Sequence, residues 1–228
     1  CKNDRIGYIG NYPIYGEAAS IIQYPISNTS WAAPQVTDEG YKIAFSTDVN
    51  GNAIYNSSMN QNDKYAAALA AAVEYFKAAG YTYDEASGKL TAAPEGAKLS
   101  YEATIPADGI ADHPSFAVLQ DASAALATIG FELKVNDLSD SAILWEMLDA
   151  STAEIWCAAW GSTIDPDMYQ VYHKNSSATS TLAWGYREIL ASPATYPEET
   201  QILNALSELI DSARETEDRA TRTELYEQ

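Results

Sequence analysis

The stretch Glu154-Ile155-Trp156-Cys157-Ala158-Ala159-Trp160-Gly161-Ser162-Thr163-Ile164-Asp165-Pro166-Asp167-Met168-Tyr169 concentrates residue types that hold small molecules. An apolar run ends in Trp160, a short Gly/Ser/Thr loop comes next, and Asp165-Pro166 closes it. In α/β layers, ligands gather at the loops that follow the carboxyl ends of strands. Trp160, Gly161, Ser162, Thr163 and Asp165 are accordingly the candidate ligand-binding residues. Together they offer a flat aromatic face, open backbone, two hydroxyls and one carboxylate. Each also has a structural reading. Trp160 can be core. Asp165 before Pro166 fits an N-cap followed by a first helical position, and this is the stronger expectation for that carboxylate.

Catalytic and metal-binding patterns are sparse. His113 and His173 are the only histidines and have no Cys or His at ligand spacing, so neither a metal nor a cofactor is expected. His113 stands before Pro114, where capping a helix is its expected role. No G-x-S-x-G, P-loop or G-x-G-x-x-G pattern occurs. Paired carboxylates of the glycosidase kind stay open, because 32 Asp+Glu make coincidental pairs common. Asp48-Val49-Asn50-Gly51-Asn52 resembles the start of a calcium loop, but its Gly is misplaced and Met59 stands where the last acidic ligand belongs; a tight turn is expected. Cys157 reads as a small core residue. Cys1 is a lipid-bearing first residue of a mature lipoprotein, a disulfide partner, or an internal cysteine of a longer protein. Ile6, Tyr8, Ile9, Tyr12, Ile14 and Tyr15 come almost at once after it, which favours the internal reading. The helical pattern from Arg219 to Tyr226 stops without a cap, which also favours a piece of a longer protein.

Charge narrows the partners. Of 228 residues, 13 are Lys+Arg and 32 Asp+Glu, a net charge of −19, while 46% are hydrophobic. That apolar fraction supports a packed core and separates this acidity from disorder. Nucleic acid is disfavoured as a partner because phosphate binding needs Lys and Arg, and anionic membrane surfaces are disfavoured for the same reason. No run of ~20 apolar residues is present to span a bilayer.

The elements that must position the loop can be read from periodicity. Residues 1–60 are rich in Gly, Pro, Asn and Tyr and read as an extended, turn-rich segment packing on the lobe formed by the rest of the chain. Leu69, Val73 and Phe76, with Ala66, Ala72 and Ala79, predict a helix stopped by Gly80. Residues 83–97 read as loop and turns, and 99–105 alternate as a strand. Pro114 opens a helix bearing Phe116, Leu119, Ala122, Leu126 and Ile129, closed by Gly130. Residues 131–135 read as a strand, and Ser139 caps a helix bearing Ile143, Leu144, Met147 and Leu148. Residues 155–160 then form a buried strand. Pro197 starts an amphipathic helix whose apolar face is Ile202, Leu206, Leu209 and Ala213. This alternation implies an α/β fold over residues 61–228, with a mixed, mostly parallel sheet flanked by helices, in a single domain overall.

The strand–Trp–short loop–Asp-Pro segment resembles the family 5 extracellular solute-binding proteins of ABC transporters, which include oligopeptide, dipeptide and nickel receptors. Other segments resemble the same family in the same order. They are Tyr24-Pro25-Ile26-Ser27 with Trp31-Ala32-Ala33-Pro34, the alanine-rich stretch from Ala66 to Ala79 followed by Gly80-Tyr81, Leu126-Ala127-Thr128-Ile129-Gly130-Phe131-Glu132-Leu133, and Arg222-x-x-Leu225-Tyr226-x-Gln228. The resemblance implies a periplasmic-binding-protein-like C-terminal lobe, truncated at both ends, of a non-enzymatic receptor. Such a receptor closes two lobes around a solute, most often a short peptide, and delivers it to a membrane permease. It also implies an extracellular or periplasmic monomer, lipid-tethered in its full-length parent. In peptide-binding members an acid after the Trp pairs with the ligand's ammonium. Thr163 stands at that position here, and Asp165 is the nearest carboxylate able to replace it, so a sugar or another small solute stays open. The alternative from another class is a secreted carbohydrate-active enzyme or carbohydrate-binding module using paired acids with platforms drawn from 16 Tyr and 5 Trp.

Overall fold

The computed structural model describes residues 22–158, 161, 163, 165–178 and 181–228. Cys1, the apolar residues from Ile6 to Tyr15, Trp160 and Ser162 lie outside the described residues. The chain gathers into two units, one comprising Lys42–Ser141 with Ala153–Ala158, the other Tyr24–Tyr41, Ala142–Thr152 and the chain from Ala159.

In the first unit, helix α1 (Gln61–Ala78) starts at a reciprocal capping box. The Asn60 side chain accepts the Asp63 N–H at 3.0 Å, and the Asp63 carboxylate accepts the Asn60 N–H at 3.1 Å. Its buried residues are Ala68, Ala71 and Val73, whereas Ala66 and Ala79 of the expected face are exposed. Gly80 at φ +89° ends it. An antiparallel hairpin of β1 (Thr82–Asp84) and β2 (Lys89–Ala92) comes next, where only loop and turns were expected. Its strands are too short to display alternation. The signal lies in the turn: Asp84 accepts the N–H groups of Ala86 and Ser87, and Gly88 adopts φ +68°.

Strand β3 (Ser100–Ile105) is central, with β4 (Glu132–Asp137) and β5 (Ile155–Trp156) on either side, all parallel. Ser100 to Ile105 pair in step with Glu132 to Asp137, and Ala103 and Thr104 pair with Ile155 and Trp156. Among the described residues the run from Ile155 is thus a two-residue edge strand rather than a long buried one, with Ile155 39% exposed. An edge position covers only one side of the strand. Helix α2 (Pro114–Thr128) connects β3 to β4, and His113 caps it as expected, its Nδ1 accepting the Ser115 N–H at 3.1 Å. Val73, Leu90, Ile129 and Phe131 form the core here, with Phe76, Tyr81 and Tyr101 rings around Phe131. Helix α3 (Ser141–Asp149) begins two residues after Ser139, which therefore does not cap it. Ser139 instead lies against Gly109, where an added Cβ would meet its Cβ at 3.3 Å.

In the second unit, helices α4 (Tyr169–Tyr172), α5 (Arg187–Ala191), α6 (Pro197–Glu215) and α7 (Arg219–Glu227) succeed one another. Glu198 and Glu199 in the first turn of α6 meet the positive end of its dipole. Its buried stripe is Leu203, Ser207, Ile210 and Ala213, and Ile202, expected to face inward, is 67% exposed. Ala213 is buried as expected, Leu206 and Leu209 are half-buried, and Ser207 stands inside, where its hydroxyl oxygen accepts the Lys174 N–H. The fold is a mixed α/β arrangement with a parallel three-stranded sheet flanked by helices, as expected. No described helix is long and apolar enough to cross a membrane.

Gly130 marks the tightest joint. It sits at φ +81°, and a Cβ there would stand 2.9 Å from the Leu90 carbonyl oxygen, in the place where Leu90 N–H donates to Ile129 O at 2.7 Å. Gly96 has the same φ of +81° but open space around it. Gly96→Ala should therefore lose about 1–2 kcal/mol from the left-handed backbone alone, and Gly130→Ala clearly more. Equal losses in denaturant unfolding would show that the Leu90 contact carries no weight.

Candidate functional site

Strand β5 leads into the candidate loop. The Cys157 N–H donates to Thr104 O at 3.0 Å, one step beyond the paired residues. Of the five candidate residues the structure describes Gly161, Thr163 and Asp165, and all three are exposed. The Thr163 hydroxyl donates to the Asp165 carbonyl oxygen at 2.6 Å. The Asp165 carboxylate accepts the Asp167 N–H, and the Asp167 carboxylate accepts the N–H of Tyr169, the first residue of α4, each at 3.0 Å. Helix α4 therefore begins later than expected, and Asp165 does not cap it.

Asp165 is held by a residue 57 positions away. Arg222 on α7 donates from Nη2 to Oδ1 at 2.8 Å and from Nη1 to Oδ2 at 3.1 Å, a two-pronged pair. Nη2 also donates to the Tyr226 hydroxyl at 3.1 Å. Trp31 lies beneath: the guanidinium carbons of Arg222 and Arg219 stand 5.3 Å and 4.9 Å from its ring, and Tyr226 meets it edge-on at 6.3 Å. The Arg222 side chain is only 16% exposed, against 57% for Asp165. The hydrogen bonds from Arg222 hold the Asp165 carboxyl below the usual carboxylate range, and Asp165 and Tyr226 push the guanidinium further up.

A second set of contacts, between residues far apart in the chain, runs along α6. Arg214 pairs with Asp167 at 3.3 Å and lies 4.3 Å over the Tyr169 ring. The other partner of that ring is His173, stacked at 4.2 Å and 15°. His173 is 1% exposed. Its Nδ1 accepts the Asn175 N–H at 3.0 Å, which leaves the ring proton on Nε2, facing Asp211 at 3.2 Å. Ser207 accepts the Lys174 N–H at 3.1 Å and donates to Leu203 O at 2.8 Å, which is why a serine lies in the buried stripe. Lys174 Nζ donates to Asn204 at 2.6 Å. Asn204, Ser207, Asp211 and Arg214 are spaced 3, 4 and 3 apart, one face of a helix. That spacing was the available signal.

The His173–Asp211 pair has the outline of a general base and its orienter, yet Nδ1, the nitrogen that would act as base, already accepts the Asn175 N–H, and the ring is buried. At the carboxyl end of β4, the Asp137 carboxylate accepts the N–H groups of Ala107, Gly109 and Ala111 at 2.9, 3.1 and 2.7 Å. The loop after β3 is thereby closed onto a carboxylate of the same unit. The Asp48 carboxylate accepts the Asn50 and Asn52 N–H groups, both at 2.9 Å, and forms the expected turn. Among the described residues, no group of three or more His, Cys, Asp or Glu is placed to hold a metal ion.

No family model matches the chain, and no curated protein is significantly similar to it. Among solved structures, NikA from Brucella suis in complex with Fe(III)-EDTA is similar at 18% identity and a TM-score of 0.46, over 71% of this chain and 28% of its own. The chain thus spans under a third of that protein's length.

The Asp165–Arg222 pair has a pH signature. A carboxyl held below its unfolded value favours the fold in its ionised form. Its contribution is complete above about pH 4 and is lost as pH falls through the folded value. Asp165→Asn and Arg222→Gln should each flatten the acid limb of the melting-temperature profile below that pH; an unchanged limb would show that the pair carries no linkage. His173→Ala, which strands the Asn175 N–H and leaves a void, should destabilise by about 2–3 kcal/mol in denaturant unfolding.

Proposed function

We propose that this chain is part of the substrate-binding component of an ABC transporter, of the family 5 type. The parent receptor binds a small solute between two lobes outside the cytoplasm and hands it to a membrane permease. Short peptides are the solute class this reading favours. It is a non-enzymatic, monomeric receptor without a cofactor, tethered as a lipoprotein in the full-length parent. Residues 61–228 supply its α/β lobe and residues 1–60 a turn-rich segment on that lobe. Solute contact is assigned to the segment Trp160, Gly161, Ser162, Thr163 and Asp165.

One observation carries this reading. Three segments that resemble the family independently, those of Trp31, Asp165 and Arg222, meet in a single cluster, Asp165 paired to Arg222 and Arg222 lying over Trp31. Chance resemblances scattered along a chain have no reason to converge. Position adds support, since the candidate segment comes after a parallel strand's carboxyl end. The carbohydrate-active alternative needs flat aromatic faces turned outward. Tyr172, Trp184 and Tyr186 pack on one another, as do Phe76, Tyr81, Tyr101 and Phe131, while the exposed rings Phe45, Tyr75, Trp145 and Tyr196 lie far apart in the sequence.

Calorimetry with trialanine tests the reading. The full-length parent should bind it, and this chain alone should bind it at least about a hundredfold more weakly, because the second lobe is missing. Trp160→Ala in the parent should weaken binding by about tenfold. Tight binding by this chain alone would overturn the two-lobe site, and release of reducing sugar from a glycan panel would replace the receptor with an enzyme.

A further inference from the structure

The two carboxylates of Asp165-Pro166-Asp167 are each matched to an arginine from a different helix. Asp165 takes both prongs of Arg222 on α7, and Asp167 takes Arg214 on α6. Both arginines are further fixed by rings, Arg222 over Trp31 and Tyr226, Arg214 over Tyr169. Only 13 Lys+Arg serve 32 Asp+Glu in this chain, so two arginines committed to two adjacent acids is a marked concentration of the scarce charge. Asp165 already accepts two N–H groups of Arg222 and the Asp167 N–H, so a solute ammonium would meet a carboxylate whose charge is matched by a two-pronged guanidinium, a geometry that a point charge cannot reproduce. The sequence from Gly161 to Tyr169 holds no acid besides these two.

We propose that Asp165 and Asp167 are positioning residues: clamped by Arg222 and Arg214, they hold the turn from Asp165 to Tyr169 in place and present a solute with no unpaired carboxylate, so Asp165 serves the solute contact by position rather than by charge and the part of a solute meeting it is uncharged. The clamp stands on geometry alone, while the statement about the solute rests on the receptor reading. On that reading a peptide is met here by its backbone amides or a neutral side chain, not by its ammonium.

Amide hydrogen exchange at Asp165, Asp167, Met168 and Tyr169 of this chain tests the clamp. Asp165→Asn and Arg222→Gln should each speed local exchange by about tenfold, and the double variant should be no faster than either single one. Arg222→Lys, which keeps the charge but loses the fork, should fall between wild type and Arg222→Gln. Unchanged exchange in the single variants, or effects that simply multiply in the double, would overturn the clamp. In the full-length parent, the affinities for trialanine and N-acetyl-trialanine should keep their ratio within about threefold when Asp165 becomes Asn. A ratio that collapses would make Asp165 the ammonium's counter-ion and sink the proposal. Binding of neither peptide would count against the receptor reading, and the exchange result would still decide the clamp.

Discussion

A segment of backbone with little regular structure must satisfy its polar groups one at a time, and from Asp165 to Ala178 this requirement organises the second unit. Only Tyr169–Tyr172 is helical within the stretch from Asp165 to Ala178. The Lys174 N–H goes to Ser207, the Asn175 N–H to His173, and the Gln170 carbonyl receives hydroxyls from both Ser176 and Thr181. The polar face of α6 exists to meet these groups. Its serine turns inward, its aspartate accepts a hydrogen bond from His173 Nε2, and its arginine pairs with the carboxylate of Asp167. Remove the polar face and the segment has buried donors with nowhere to go, which is more costly than the loss of any single favourable contact.

Charge obeys the same rule of local pairing. A net −19 spread evenly would repel a compact fold, so the few cations go where structure needs them. Lys98 pairs with Glu154 just before β5, and Glu154 also accepts the Glu102 N–H at 2.9 Å, fixing the edge strand beside β3. The hydrogen bond from Lys98 keeps the Glu154 carboxyl below its usual range. Arg222 and Arg214 do the equivalent work for the Asp-Pro-Asp turn. The overall acidity therefore says little about the charge of a ligand, because the acids nearest the candidate loop are already compensated.

Much of the fold was legible because burial here is mostly apolar and periodic. The helix ended by Gly80, the helix opened by His113-Pro114 and the strands before and after it can all be read from repeated hydrophobic spacing and local caps. The misreadings share a cause: each involves a polar residue that works through a distant partner. Ser207 stands outside the expected apolar face of α6 and is 1% exposed, while Ile202 of that face is exposed and Ala213 is buried as expected. Asp165 looked like a local cap and faces an arginine 57 residues away. Ser139 looked like a cap and packs beside Gly109. The β1–β2 hairpin was missed for a different reason, since three- and four-residue strands are too short for alternation to register.

The sequence by itself determined the helix–strand order, the glycines at the two helix exits and the segment in which chemistry is concentrated, because these depend on neighbours within a few residues. It also limited the partners, since a shortage of Lys and Arg is a property of composition alone. Only the tertiary structure decided what Asp165 does. Whether a carboxylate caps a helix, meets a ligand or locks to an arginine depends on which group stands within about 3 Å of it. That neighbour, Arg222, is brought there by the packing of α7, Trp31 and Tyr226, and its identity is encoded nowhere near Asp165 in the chain.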